Sequence, residues 1–277
     1  MEEHIYPKDF HDLKKGIKQL IGFNTGQYKN AYLGRRFNAR MRSYNVDTYH
    51  AYWEILKKDH QEQQRLRDDL TINVTEFFRD TSAYEFIQKD VLPTLSSEKE
   101  KIRIWSAGSS DGKEAYSIAM MWVNLLGIKN AQERISIIGS DIDRESLEQA
   151  KRGEYIVKPG ITQTDITKQL DFIKKPEYYF NIQDNVYSIK PEVKQIVKFE
   201  NHDLISGEKK TNFDMVLCRN VVIYFNRELQ EVLYNDFYNA LNLNGFFVMG
   251  KTETLIGESR NLFDSYNTRE RIFKKIK

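Results

Sequence analysis

Short apolar runs alternate with helical patterns through the second half of this 277-residue chain, and that alternation leaves few architectures open. KIRIWSA is followed by a Gly/Ser loop and a helical pattern over residues 114–126. RISIIGSD is followed by a second helical pattern over residues 144–151. VKFEN, FDMVLCRN and GFFVMGK are further strand candidates, the last two separated by a helix rich in Leu and Tyr. Strands alternating with helices imply an α/β fold with a doubly wound, mostly parallel sheet. Residues 177–190, EYYFNIQDNVYSIK, break the alternation. Asp184-Asn185 makes a tolerable turn between two β-prone runs, so a small antiparallel β insertion is expected there.

Residues 1–72 read differently, as a small all-helical domain. Phe10, Leu13, Ile17, Leu20 and Ile21 recur at helical spacing, with Gly22 as the stop. Tyr32, Leu33, Phe37 and Met41 make a second apolar stripe. Asp47 is the expected cap of a third helix, and a fourth, highly charged one covers residues 59–70. Residues 73–100 then connect this domain to the α/β domain of residues 101–277.

Bulk properties exclude several classes. Hydrophobic residues make up 40% and charged ones 30%, an ordinary globular composition. No apolar run approaches the roughly 18 residues of a membrane span, and MEEHIYPKDF has no signal-peptide character. A single cysteine, Cys218, allows neither an internal disulfide nor a thiolate metal cluster. A cytoplasmic location fits these features. Net charge is only +2, yet residues 13–46 hold no Asp or Glu and include Arg35, Arg36, Arg40 and Arg42. Such a basic face fits an acidic partner, and a solvated helix face explains it equally well.

Ligands of doubly wound sheets bind outside the carboxyl ends of the strands. The first strand leads into Ala107-Gly108-Ser109-Ser110-Asp111-Gly112, where glycine permits close backbone approach. The G-x-G-x-x-G spacing of a dinucleotide site is absent, and an ordinary strand-to-helix turn also accounts for the loop. Asp141 ends the second strand, where a carboxylate can accept ribose hydroxyls or cap a turn, while Asp143 reads as the cap of the next helix. Cys218-Arg219-Asn220 ends the fourth strand, and an arginine there requires partners. Cys218 reads as a small core residue. Asn73-Val74-Thr75-Glu76-Phe77-Phe78-Arg79-Asp80 places an arginine, the natural bidentate partner of a ligand carboxylate, beside a Phe pair of core character.

In order and over almost the whole chain, these segments resemble the chemotaxis receptor methyltransferases of the CheR family. LGRRFNARMRS, TINVTEFFRD, IRIWSAGSSDGKEAYSIAM, IIGSDIDRESLEQAKRGEY, FDMVLCRNVVIYFN and GFFVMGKTETL carry the resemblance. It implies a class I methyltransferase fold, with a seven-stranded sheet and S-adenosylmethionine as cofactor, released as S-adenosylhomocysteine. It assigns cofactor contacts to Asn73, Thr75, Arg79, Gly108, Glu114, Asp141, Asp203, Leu204, Cys218 and Arg219. Arg79 would face the methionyl carboxylate and Asp141 the ribose, Asp203 and Leu204 would flank the adenine, and Tyr224 would lie near the transferred methyl. Arg79, Arg219 and Tyr224 are the implied catalytic residues. Lys113 and Ala115 depart from the family's usual acidic residue and proline, and Asp203 stands where Asn is common.

The resemblance further implies methyl esterification of glutamate side chains on a chemoreceptor's cytoplasmic helical bundle. The enzyme is expected to be a monomer without nucleic-acid partner, membrane insertion or metal. Arg35, Arg36, Arg40 and Arg42 would dock the acidic bundle. Some family members tether a receptor C-terminal peptide on a glycine-rich hairpin; residues 177–190 lack glycine, so no tether is expected. A base-methylating enzyme would carry Asn/Asp-Pro-Pro-aromatic where Arg219-Asn220-Val221-Val222 stands. A non-catalytic binding module would not need Arg79, Asp141, Arg219 and Tyr224 together.

Overall fold

The structure, a computed structural model, describes residues 6–71, 75–157 and 166–277. Its backbone contacts divide it into two units, Met1–Ile72 with Tyr224–Gln230, and Asn73–Ile223 with Glu231–Lys277. Among the described residues no helix is long and apolar enough to cross a membrane.

The first unit is helical: α1 (Lys8–Ile21), α2 (Asn30–Ser43), α3 (Tyr49–Leu56) and α4 (His60–Leu70). Phe10, Leu13, Ile17 and Ile21 of α1 share one buried face, and the helix ends at Gly22 in the left-handed region. Tyr32, Leu33, Phe37 and Met41 do the same for α2. The cap of α3 is Thr48, not Asp47: the threonine hydroxyl accepts the Ala51 N–H at 3.1 Å. Asp47 lies one residue before that cap, outside the position from which a side chain reaches the first-turn amides. Asp59 caps α4 by accepting from Gln61 and Glu62. The segment Tyr224–Gln230 completes this unit. The Lys29 N–H donates to the Tyr224 carbonyl at 3.0 Å and Asn226 N–H to Gln27 at 2.9 Å. The Tyr32 and Tyr224 rings lie 4.9 Å apart.

The second unit begins with α5 (Thr81–Phe86), a π turn over Ile87–Val91, and α6 (Leu92–Glu98). Its strands are β1 (Ile102–Ala107), β2 (Ile135–Asp141), β3 (Glu154–Ile156), β4 (Phe180–Gln183), β5 (Val186–Ile189), β6 (Val197–Asn201), β7 (Phe213–Cys218), β8 (Leu241–Met249), β9 (Phe263–Asn267) and β10 (Ile272–Lys275). Between them run α7 (Lys113–Leu126), α8 (Ile128–Arg134), α9 (Arg144–Arg152), α10 (Ile166–Gln169), α11 (Pro191–Lys194) and α12 (Arg227–Ala240), the last belonging to this unit from Glu231 onward. Seven strands form one sheet in the order β6-β2-β1-β7-β8-β10-β9. The first five are parallel, and β10 is antiparallel to both β8 and β9. Every residue of β7 is buried, as expected of a parallel strand covered on both faces.

Strand order reverses beside β1: the chain proceeds outward to β2 and β6 on one side, then returns to β7 and β8 on the other. The carboxyl ends of β1 and β7 therefore open a crevice at the switch point, where doubly wound sheets bind ligands. The expected insertion is a three-stranded antiparallel sheet in the order β3-β5-β4. Asp184 and Asn185 turn the β4–β5 hairpin in left-handed conformations, φ 47° and 64°. Its third strand, β3, is drawn from residues that precede α10, so the insertion is larger than the 177–190 run alone.

Candidate active site

Asp141 closes β2 with its carboxylate turned across the end of β1. One oxygen accepts the Ser110 N–H at 2.8 Å and the other the Asp143 N–H at 3.0 Å. Ribose acceptor and cap are thus compatible readings, since each carboxylate oxygen has a further lone pair. Burial pushes the Asp141 carboxyl above its ordinary pKa, against those N–H bonds. Asp143 caps α9 as expected, accepting from Glu145. The loop after β1 is pinned from the neighbouring strand, with Gly108 and Ser109 N–H both donating to the Ser140 carbonyl. Gly108 has φ +76°, and a Cβ there would come within 2.5 Å of Val221 in the loop after β7. Lys113, one of the departures from the family pattern, pairs with Asp111 in the same loop.

Arg219 leaves the end of β7 into a buried polar cluster. One terminal nitrogen donates to the Arg79 carbonyl and to the Asp80 carboxylate, both at 2.8 Å. The other lies 3.9 Å from Glu114 in the first turn of α7. The guanidinium carbon lies 5.2 Å from the centre of the Tyr84 ring. Glu114 also accepts the Ser106 hydroxyl at 2.8 Å, and burial raises its pKa against the pull of Arg219 and Arg79. Two guanidinium groups thus act on one interior carboxylate, which keeps the arginine required at this strand end partnered.

The turn carrying Arg79 is strained. Phe78 and Asp80 on either side adopt left-handed conformations, φ 49° and 59°. Such backbone costs roughly 1–3 kcal/mol per residue and persists only where surroundings over-determine it. Here the Phe77 N–H donates to Gln169, the Phe78 N–H to Ser117, and Arg219 clamps the carbonyl of Arg79. Arg79 borders a cleft of about 690 Å³ that includes Phe78, Gln88, Lys168 and Phe172.

Other residues fall as follows. Thr75 is half-buried, and Asn73 lies outside the described residues. Cys218 is fully buried and its thiol is pushed well up by burial, a core residue as read. The Asp203 carboxylate accepts the Ile205 N–H in its own loop, and Leu204 lines a small pocket together with Trp105 and Phe237. Tyr224 groups with the helical unit. Arg35 and Arg42 are exposed on α2, and Arg36 lies over the Tyr32 ring at 5.6 Å. Arg40 corrects the docking assignment. Its Nε donates to the fully buried Glu62 at 2.8 Å, its second contact to that carboxylate is shorter still, and Asp69 lies 3.5 Å away. An arginine so committed is part of the helical core.

Sequence reasoning overlooked Glu253. It is 2% exposed, and its carboxylate accepts N–H groups from Gly250, Asn220, Val221 and Val222. Three of these four partners are backbone amides 31–33 residues upstream, which residue types do not disclose.

Loops after β1, β2 and β7 therefore converge on the crevice with the Asp141 carboxylate, the Arg219 guanidinium and buried polar atoms to spare. Ser109 Oγ, Arg219 Nε and Asn220 Oδ1 are buried without hydrogen-bond partners, which fits a polar ligand lodged among them. Comparison with known proteins agrees. A family described as "CheR methyltransferase, SAM binding domain" matches residues 73–272, and one described as "CheR methyltransferase, all-alpha domain" matches residues 8–71. Among curated relatives, a chemotaxis protein methyltransferase of Borreliella burgdorferi is 30% identical over 90% of this chain and 89% of its own. One from Listeria monocytogenes is 28% identical over 90% of this chain and 91% of its own. Chemotaxis protein methyltransferase 2 of Pseudomonas aeruginosa is 27% identical over 93% and 90%.

Proposed function

Because this chain belongs to the CheR methyltransferase family, an S-adenosylmethionine-dependent family, we propose that it esterifies glutamate side chains on the cytoplasmic helical bundle of a chemoreceptor. The observation that carries this reading is the Arg219 cluster at the switch point, with Arg79, Asp80 and Glu114 around it and no base required. The names of the relatives supply the chemotactic context.

S-adenosylmethionine, when bound, supplies a methyl group on a positively charged sulfur. Asp141 would hold the ribose hydroxyls, and Arg79 the methionyl carboxylate through its planar fork. Thr75, Gly108, Glu114, Asp203, Leu204 and Cys218 would complete the cofactor site; the family resemblance adds Asn73 to these contacts. A glutamate side chain has an ordinary pKa of about 4.3, so at neutral pH it arrives as a carboxylate and needs no deprotonation. One carboxylate oxygen forms the new O–C bond as the S–C bond breaks, and the net charge of the pair is neutralised. This chain's work is therefore orientation and exclusion of water, and holding two reactants in line is worth up to roughly 7–11 kcal/mol. Arg219 and Tyr224 would orient the incoming carboxylate. Arg35 and Arg42, the exposed arginines of α2, would meet the acidic receptor surface, with Arg36 beside them.

The test is incubation with tritiated S-adenosylmethionine and receptor-bearing membranes of the same organism. Label should appear on receptors and be released as methanol by mild base. Base-stable label, or none on receptors, would refute the glutamyl ester.

A further inference from the structure

Glu253 has no part in the chemistry above, yet it is the most heavily bonded carboxylate at the site. One oxygen accepts Gly250 N–H at 2.6 Å and Asn220 N–H at 3.0 Å; the other accepts Val221 at 3.2 Å and Val222 at 3.1 Å. A buried carboxylate without compensation is strongly unfavourable, and here four peptide dipoles supply the compensation, as in a backbone nest. The bonds reach two separate loops, the one after β7 and the one after β8. Within the first, Asn220 is held left-handed at φ 61°, with Oδ1 buried and unpartnered. Val221 is pressed onto Gly108 of the loop after β1. Space at Gly250 is equally tight: a Cβ would lie 2.9 Å from Asn220 N, Asn220 Nδ2 and Glu253 Oε2. One carboxylate thereby fixes the turn that follows Arg219 and the surface that Val221 offers to the glycine loop.

We propose that Glu253 is a positioning residue of the cofactor site, holding the turn from Arg219 to Val222 in the shape that receives S-adenosylmethionine. It acts through the four amides and touches no reacting atom. The proposal rests on the cofactor assignment of the family and is independent of which substrate is methylated.

Glu253→Gln tests it at constant volume. Whichever way the amide is placed, its NH2 faces two N–H donors, so two of the four bonds are lost. Affinity for S-adenosylhomocysteine is measured by calorimetry on the full chain, alongside its two-dimensional amide spectrum. The Gln variant should bind at least tenfold more weakly. Its spectral changes should be confined to Gly108, residues 219–223 and residues 250–253. Gly250→Ala, which keeps the carboxylate but crowds the same amides, should weaken binding in the same direction with a native spectrum. Affinity of the Gln variant within twofold of wild type would overturn the proposal. If the Gln variant instead loses spectral dispersion throughout, Gly250→Ala decides. Weak binding with a native spectrum supports positioning, and wild-type affinity reduces Glu253 to a prop of the fold. Receptor methylation enters neither measurement, so failure of the glutamate reading leaves this test intact.

Discussion

Asp141 combines a fixed orientation with a burdened charge, and both have consequences for binding. Its two N–H bonds aim the carboxylate, while burial raises its pKa above the ordinary Asp value of roughly 3.9. Protonation removes the acceptor charge, so affinity for S-adenosylhomocysteine should fall on the acid side, starting above the range of an ordinary Asp. Asp141→Ala should lower affinity at neutral pH by tenfold or more, leave the fold intact, and flatten that acid limb. Calorimetric titrations across pH check both, and an unchanged affinity would leave Asp141 as a cap alone. Residues of this kind were legible because their place in the sequence, at the end of an apolar strand, already specifies a place in space. The need of Arg219 for partners was legible for the same reason, since a guanidinium at the end of a buried apolar strand demands them. Glu253 was not, because its partners are main-chain amides whose direction depends on the left-handed turn at Asn220.

At the scale of elements, α2 separates its arginines by role. Arg40 faces inward, and Tyr52 adds a hydroxyl bond to the same Glu62 at 2.6 Å. Arg40→Ala leaves that carboxylate buried and unpaired, which should destabilise the chain by about 3–5 kcal/mol in urea unfolding. A loss below about 1 kcal/mol would mean water replaces the guanidinium. Arg35 and Arg42 face outward, two turns apart on one side of the helix. Exposed ion pairs are each worth about 0–1 kcal/mol, so neutralising one should change little. Reversing both, Arg35→Glu with Arg42→Glu, should slow receptor methylation several-fold at low salt, converge with wild type at high salt, and spare cofactor affinity. Coincident salt curves would assign docking to another face. The helices were legible from their 3.6-residue stripes, whereas β9 was not. FDSYN buries only Phe263 and exposes Asp264, Ser265 and Tyr266, an edge pattern that becomes a strand through pairing with β10. The third strand of the insertion escaped for a similar reason: β3 has only three residues and is defined by β5.

For the whole molecule, the single cysteine is a reporter of global opening. Cys218 is fully buried in β7 and its thiolate is disfavoured by that burial. A disulfide reagent should therefore modify it only through unfolding, slowly in native buffer and at the rate of a free thiol in concentrated urea. Labelling in native buffer at the free-thiol rate would show that β7 is not the closed centre of the sheet. S-adenosylhomocysteine should slow labelling further, because a ligand bound to the native state alone shifts the opening equilibrium.

The helical unit is built from residues 1–72 together with Tyr224–Gln230, and this has a consequence in time. Residues 1–72 leave the ribosome well before Tyr224–Gln230. The partners that complete the Tyr28 and Tyr32 surface, Phe225 and Tyr224, are synthesised about 190 residues later. At typical elongation rates that is a wait of roughly 10–40 s, during which the aromatic face of the newborn helices stays open. The helical unit thus waits for a segment made after four strands of the seven-stranded sheet have already been synthesised.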